Sequence, residues 1–102
     1  MTESEFINLC EEKLEELSEK LEQKDVNSKL DIEYLDGILE IEILENAKKF
    51  IINRNSGNQK IWYSSPFSGA DYFAYDELKK AWLNDQKIEL SVKLFSELHK
   101  IL

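Results

Sequence analysis

Apolar residues recur at spacings of three and four along the first part of the chain: Phe6, Leu9, Cys10, Leu14, Leu17 and Leu21. That spacing lays them on one stripe of a helix over about 4–24. Thr2 or Ser4 is placed to cap its start, and no Gly or Pro interrupts it. Val26, Asn27 and Ser28 then read as a break, after which the period changes to two. Leu30, Ile32 and Tyr34 alternate with Asp31 and Glu33, while Leu39, Ile41 and Ile43 alternate with Glu40 and Glu42. Each set predicts a strand with one wet face, and Asp36-Gly37 between them is a tight hairpin turn. Glu45-Asn46 and the run Asn55-Ser56-Gly57-Asn58 are further turns, which delimit strands at 49–53 and 60–65. Another short strand is predicted over 71–75, and a last one around Trp82. From about Leu90 the helical period returns, with Leu94, Phe95, Leu98, Ile101 and Leu102 on one face.

The order helix, several strands, helix describes an α+β fold with an antiparallel meander rather than strand–helix repeats. Both helices have an apolar stripe to hide, so the economical packing lays two helices on one face of the sheet. The 102 residues suit one domain, 1–102, and 42% apolar content argues against disorder. The start is polar and acidic rather than signal-like, and no apolar run approaches the roughly 20 residues that span a bilayer. The lone Cys10 forms no internal disulfide and suits a reducing compartment, so the expected location is cytoplasmic.

Charge changes the picture once it is divided along the chain. Residues 1–45 hold 15 acids and 4 lysines, a balance of −11; residues 46–102 hold 6 acids and 9 basic groups, a balance of +3. One acidic pole repels phosphates and anionic membranes, and attracts cations or basic proteins. Neither nucleic acid nor membrane is expected as a partner.

On the first helix, Glu11, Glu12, Glu15, Glu19 and Glu22 fall on one side, opposite the leucine stripe. Glu11–Glu15 and Glu15–Glu19 are like-charge i,i+4 pairs, and Glu16 alone has a well-placed partner, Lys20. A solvated face that serves solubility is the ordinary reading of such a run. The functional reading is a cation-attracting ridge, which Asp25, Asp31 and Glu33 extend if the first strand lies beside the first helix. Carboxylates are hard oxygen donors suited to iron, manganese, calcium or magnesium. The ridge lacks the Glu-x-x-His pairs of di-iron bundles and the twelve-residue calcium loop, so any site is expected to be open, weak and promiscuous. The same ridge could equally dock a basic protein surface.

Residues 53–69 read NRNSGNQKIWYSSPFSG. This closely resembles the frataxin pattern: an asparagine-ended strand, a polar turn, and a glutamine leading into an Ile-Trp-hydrophobic-Ser-Ser-Pro-x-Ser-Gly run. Asp36-Gly37-Ile38-Leu39 resembles the turn of the same family, and Ser4-Glu5-Phe6 before an acidic helix resembles its bacterial, CyaY-type branch. The likeness covers residues 1 to about 75. It implies a helix–sheet–helix sandwich, and an iron-binding accessory or regulatory protein of iron–sulfur cluster assembly rather than an enzyme. It implies weak binding of ferrous or ferric iron, other divalent cations being admissible, at Glu11, Glu15, Glu19, Glu22, Asp25, Asp31 and Glu33. It also implies docking on a cysteine desulfurase and an iron–sulfur scaffold protein through Asn53, Trp62 and Ser64. The expected state is a monomer, with a metal-induced oligomer as an alternative.

Alternation gives Trp62 and Ser64 the same placement independently. If Ile61 and Tyr63 point to the helices, these two point to the bare face. Two departures from the family stand out: Ala70 replaces a proline, and Tyr72 takes a place often held by a basic residue. Ser18, Gln23, Asn27 and Lys29 also thin the acidic ridge. No nucleophile constellation is present. Cys10 lies on the apolar stripe, and His99, the sole histidine, sits near the end of the last helix as a cap or a solvated group. Three functions remain open: an iron-holding accessory of cluster assembly, a metal-independent acidic interaction module that regulates the desulfurase, and a weak ferroxidase or iron store.

Overall fold

A computed structural model describes residues 1–102. Helix α1 spans Glu3–Lys24. Thr2 starts it with a capping box: the Glu5 N–H donates to Thr2 Oγ1 at 3.1 Å, and the Thr2 N–H donates to Glu5 Oε1 at 2.9 Å. Phe6, Cys10, Leu14, Leu17 and Leu21 are completely buried, whereas Leu9 lies at the margin of the stripe. The helix ends at Asp25, whose carboxylate oxygens accept the Lys29 N–H at 2.7 Å and the Leu30 N–H at 3.0 Å. That pair of bonds turns the chain from α1 into the sheet.

Six antiparallel strands follow in chain order: β1 Leu30–Leu35, β2 Ile38–Ile43, β3 Lys48–Asn55, β4 Lys60–Ser65, β5 Gly69–Asp76 and β6 Ala81–Leu83. β3 and β5 are longer than their sequence pattern predicts. The added residues are polar or small ones that the ladder pairs but the core does not need, such as Asn55 with Lys60 and Ala70 with Ser64. Helix α2, Leu90–Leu98, closes the fold. It is shorter than expected: Ile101 and Leu102 leave the helix in a turn, their N–H groups donating back to the Leu98 carbonyl at 2.9 Å. His99 is the exposed C-cap of this helix.

Both helices cover one face of the sheet. Leu39, Ile41, Ile43, Phe50, Ile52, Ile61, Tyr63, Phe73 and Trp82 face them, and Leu90, Leu94 and Leu98 of α2 complete the same core. Edge-to-face contacts run through it, including Phe6–Trp82 at 6.0 Å and Tyr63–Phe73 at 5.7 Å. The helices meet through Lys13, which ion-pairs with Glu89 at 2.9 Å and donates to Ser91 Oγ at 2.6 Å. Burial pushes the Cys10 thiol up to about 12, so it stays protonated in the core near neutral pH. No helix is long and apolar enough to cross a membrane.

The β1–β2 hairpin closes through Asp36 (φ 47°) and Gly37 (φ 79°), both left-handed as a type I′ turn requires. Gly37 is constrained twice, because a Cβ there would lie 2.6–2.9 Å from the Arg54 guanidinium and Cδ. Gly37→Ala is expected to cost about 1–3 kcal/mol in backbone strain. The cost should exceed that of Gly69→Ala, where φ is +82° but an added methyl meets nothing within 4 Å. Denaturant melts of the two variants check this; equal losses would show that Arg54 yields freely.

Candidate functional site

The expected ridge is present in part. Glu11, Glu15, Glu19 and Glu22 all lie exposed on α1, opposite the buried stripe, and none has a cation within 4 Å. Glu16 takes the nearby lysines instead, Lys13 at 3.4 Å and Lys20 at 3.3 Å. Burial acts to raise the Glu16 pKa, but the two ammonium groups outweigh it and hold the carboxyl below its usual value. Asp25 has a structural duty already, since both its oxygens accept backbone N–H groups at the start of β1.

Asp31 and Glu33 are exposed on β1, at positions that alternate with the inward Leu30, Ile32 and Tyr34. They therefore belong to the sheet face away from the helices, while α1 packs on the other face beside the same edge strand. On the helix side of β1, Tyr34 lies beside the α1 carboxylates. Its phenol is held above its ordinary pKa first by burial, then by the charges of Glu11 and Glu15. The structure brings no three of these side chains into an arrangement that could enclose a metal ion. The ridge is two acidic surfaces that flank the β1 edge, not a coordination cage.

Pairing across the hairpin adds two carboxylates that the sequence pattern treats as an ordinary wet face. Glu33 stands opposite Glu40, and Asp31 opposite Glu42. Together with Lys49 they line a shallow depression of about 130 Å³ with no hydrophobic wall. Lys49 Nζ is the one cation near it, 3.8 Å from Glu42 Oε1. Like charges directly opposite on a sheet oppose pairing. The signal was available in the sequence: a two-residue turn at Asp36-Gly37 sets the register, and counting outward from it places 33 against 40 and 31 against 42.

Asn53, Trp62 and Ser64 share the same outward face. Asn53 pairs directly with Trp62, and Ser64 with Ile51. Trp62 is 39% exposed and meets the Tyr72 ring edge-on at 5.7 Å. No helix covers this face.

Another residue missed by sequence reasoning, Glu97 of α2, holds the turn that follows Trp62 and Ser64. Its carboxylate accepts hydrogen bonds from the hydroxyls of Tyr63, Ser65 and Ser68. Ser65 Oγ in turn accepts the N–H groups of Phe67 and Ser68 at 3.0 and 3.1 Å. Burial first, then the bond to Glu97, pushes the Tyr63 phenol above its ordinary value, so it remains a donor. One turn earlier on α2, Lys93 binds Asp71 at 2.8 Å. Ser65 and Ser68, with Tyr63, are thus the sheet half of a polar clamp onto α2. The four-residue spacing of Lys93 and Glu97 was the available sign of a shared polar side.

A family model described as a frataxin-like domain matches residues 1–102. The iron–sulfur cluster assembly protein CyaY of Thioalkalivibrio sulfidiphilus is 36% identical over 86 residues, 84% of this chain and 78% of that protein. Among solved structures, frataxin from Psychromonas ingrahamii superposes with a TM-score of 0.85 at 25% identity, covering 99% of this chain and 91% of the other. Trimeric yeast frataxin complexed with ferrous iron superposes at 0.75 with 27% identity, over 90% of this chain and 83% of that one.

Glu97→Ala leaves three hydroxyls without their shared acceptor and is expected to cost about 2–3 kcal/mol. Urea unfolding measures it. A loss below about 0.5 kcal/mol would mean that water replaces the carboxylate at no cost.

Proposed function

The chain belongs to the frataxin-like family, and from that premise we propose that it is an iron-handling accessory protein of iron–sulfur cluster assembly. In this reading it holds iron loosely at its acidic edge as cargo and docks on the cysteine desulfurase and scaffold. Its relatives are named as iron–sulfur cluster assembly proteins, and one solved relative is complexed with ferrous iron.

The observation that carries the reading is the distribution of unpaired carboxylates. Glu11, Glu15, Glu19 and Glu22 on α1, with Asp31 and Glu33 on β1, crowd one edge with no counter-ion within 4 Å. Glu40 and Glu42 add to the same field. Exposed carboxylates keep most of their hydration, so each contributes little alone, but their summed potential raises the local concentration of cations. Hard oxygen donors in an open arrangement suit ferrous and ferric iron without excluding calcium or magnesium. Binding of this kind is weak, exchangeable and suited to delivery. Asp25 contributes charge to the edge, while its oxygens stay engaged with the β1 backbone.

A second reading has its own support. With no three ligands gathered, the edge also suits a basic protein surface, and iron would then be incidental to an interaction module that regulates the desulfurase. Ferroxidation or storage in an oligomer ranks third. Any such chemistry would be carried by the bound iron itself.

An anaerobic ferrous titration followed by amide NMR separates the first two readings. Broadening is expected to concentrate on residues 11–33 and on Glu40 and Glu42, and to be partly displaced by calcium. Broadening that is absent or scattered hands the lead to the interaction module. In a separate assay, reversal of Glu15, Glu19 and Glu22 to lysine should weaken desulfurase binding while leaving the melting temperature unchanged or slightly raised. The rise would come from turning the repulsive Glu11–Glu15 pair into an attractive one, worth about 0.2–0.5 kcal/mol, while positions 15 and 19 stay like-charged. Unchanged binding by this triple variant would remove the α1 surface from the mechanism.

A further inference from the structure

The sheet stops early on the side away from β1. Strand β6 is three residues long and pairs with β5 alone, and an isolated bridge from Leu83 to Glu89 ties its end to the start of α2. Helix α1 crosses this corner and leaves a cleft of about 270 Å³ between itself, β6 and the head of α2. The apolar part of the lining is Leu9 of α1 with Tyr75 and Trp82, whose rings meet edge-on at 5.3 Å. The cleft lies on the flank of α1 turned to α2, so it is separate from the acidic edge at β1.

The polar groups of the cleft are incompletely matched. Glu89 Oε2 is shut away from solvent and makes no hydrogen bond. The Lys13 ammonium stands 2.9 Å from it, but directs its bonds to Ser91 Oγ at 2.6 Å and Glu16 Oε1 at 3.4 Å. Glu89 does not cap α2 either, since its side chain accepts none of the free N–H groups at the head of that helix. A carboxylate oxygen withdrawn from water and left without a donor is uncommon in a folded protein. At the rim, Glu12 and Lys80 have no ionic partner within 4 Å. The cleft thus offers unused acceptors, one unused cation and an aromatic wall.

We infer that this cleft binds a free aliphatic α-amino acid. Its ammonium group donates to Glu89 and Glu12, its carboxylate pairs with Lys80, and its side chain lies against Leu9 and Tyr75. Size agrees, because the volume falls just under the range of about 300–1,000 Å³ that holds drug-sized ligands. Charge agrees as well. A phosphorylated ligand would meet the carboxylates of Glu12, Glu16 and Glu89, and a bare metal ion would meet the ammonium groups of Lys13 and Lys80. A zwitterion places one charge against each set. The inference is independent of the iron-holding and docking readings, and neither falls with it.

Trp82 lines the cleft, and Trp62→Phe removes the other tryptophan, so the emission of that variant follows the site alone. L-leucine is titrated into it, with amide NMR on the unaltered chain in parallel. A saturable change in emission is expected, with amide shifts centred on residues 9–16, 80–82 and 89. N-acetyl-L-leucine, which lacks the ammonium group, is expected to bind at least about ten-fold more weakly. Isoamylamine, which lacks the carboxylate, is expected to bind about three-fold more weakly. Glu89→Gln should weaken leucine binding about ten-fold. Glu12→Gln disturbs no ion pair and should weaken it about three-fold, which keeps the test open if the Glu89 variant does not fold. No saturable change at the solubility limit of leucine overturns the inference, as do shifts that centre elsewhere. Equal binding of N-acetyl-L-leucine overturns recognition of the ammonium group, and equal binding of isoamylamine overturns the amino acid as the occupant.

Discussion

Strand register is the constraint on which the rest of this molecule depends. The helices cover one face of the sheet and leave the other bare, so every strand must send its apolar set inward and its second set out. A slip of one residue in any pairing would exchange the two sets. It would expose Leu39, Ile41 and Ile43 and carry Glu40 and Glu42 under α1. The Asp36-Gly37 turn holds the first pairing, with both residues left-handed and Arg54 lying across Gly37. From that turn outward, the register decides which carboxylates meet across the hairpin.

Much of the fold is legible in the sequence where one period dominates. Helix α1, β1 and β2 each have a clean alternation or stripe, and their cores match the positions the pattern picks out. Legibility falls where tertiary pairing supplies what local pattern does not. β5 gains Gly69 and Ala70 because β4 offers them partners, not because those residues favour a strand. α2 loses its expected last turn because apolar spacing alone does not separate a helix from a turn that folds back on its own final carbonyl.

The candidate site shows the same division. A helical wheel locates Glu11, Glu15, Glu19 and Glu22, and they are exposed as a wheel requires. Proximity in sequence misleads for Asp31 and Glu33, because β1 turns them to the face opposite α1, where their neighbours are Glu42 and Glu40. Asp25 looks like another ridge carboxylate in the sequence, yet its oxygens belong to the backbone of the next element. For Glu97 the sequence offers only its four-residue spacing from Lys93, which marks a polar side of α2 but not what it meets. Its three partners lie 29–34 residues earlier in the chain, so only the packed fold brings them to one carboxylate.

The acidic edge runs against the stability of its own hairpin, since two like-charge pairs face each other across β1 and β2 with a single lysine nearby. Each such pair opposes strand pairing by some tenths of a kcal/mol. The hairpin forms because its inner face is complete: Leu30, Leu39, Ile41 and Ile43 are buried, and each large aliphatic side chain withdrawn from water contributes about 1.5–3 kcal/mol. The two faces of one hairpin therefore have separate duties, with folding assigned to the inner set and charge to the outer. That separation lets the outer set keep a repulsive arrangement that attracts cations and basic surfaces without enclosing either. A cage of the same carboxylates would hold a metal more tightly and release it more slowly. An open, self-repelling edge therefore suits the loose, exchangeable cation binding proposed for it better than it suits tight retention.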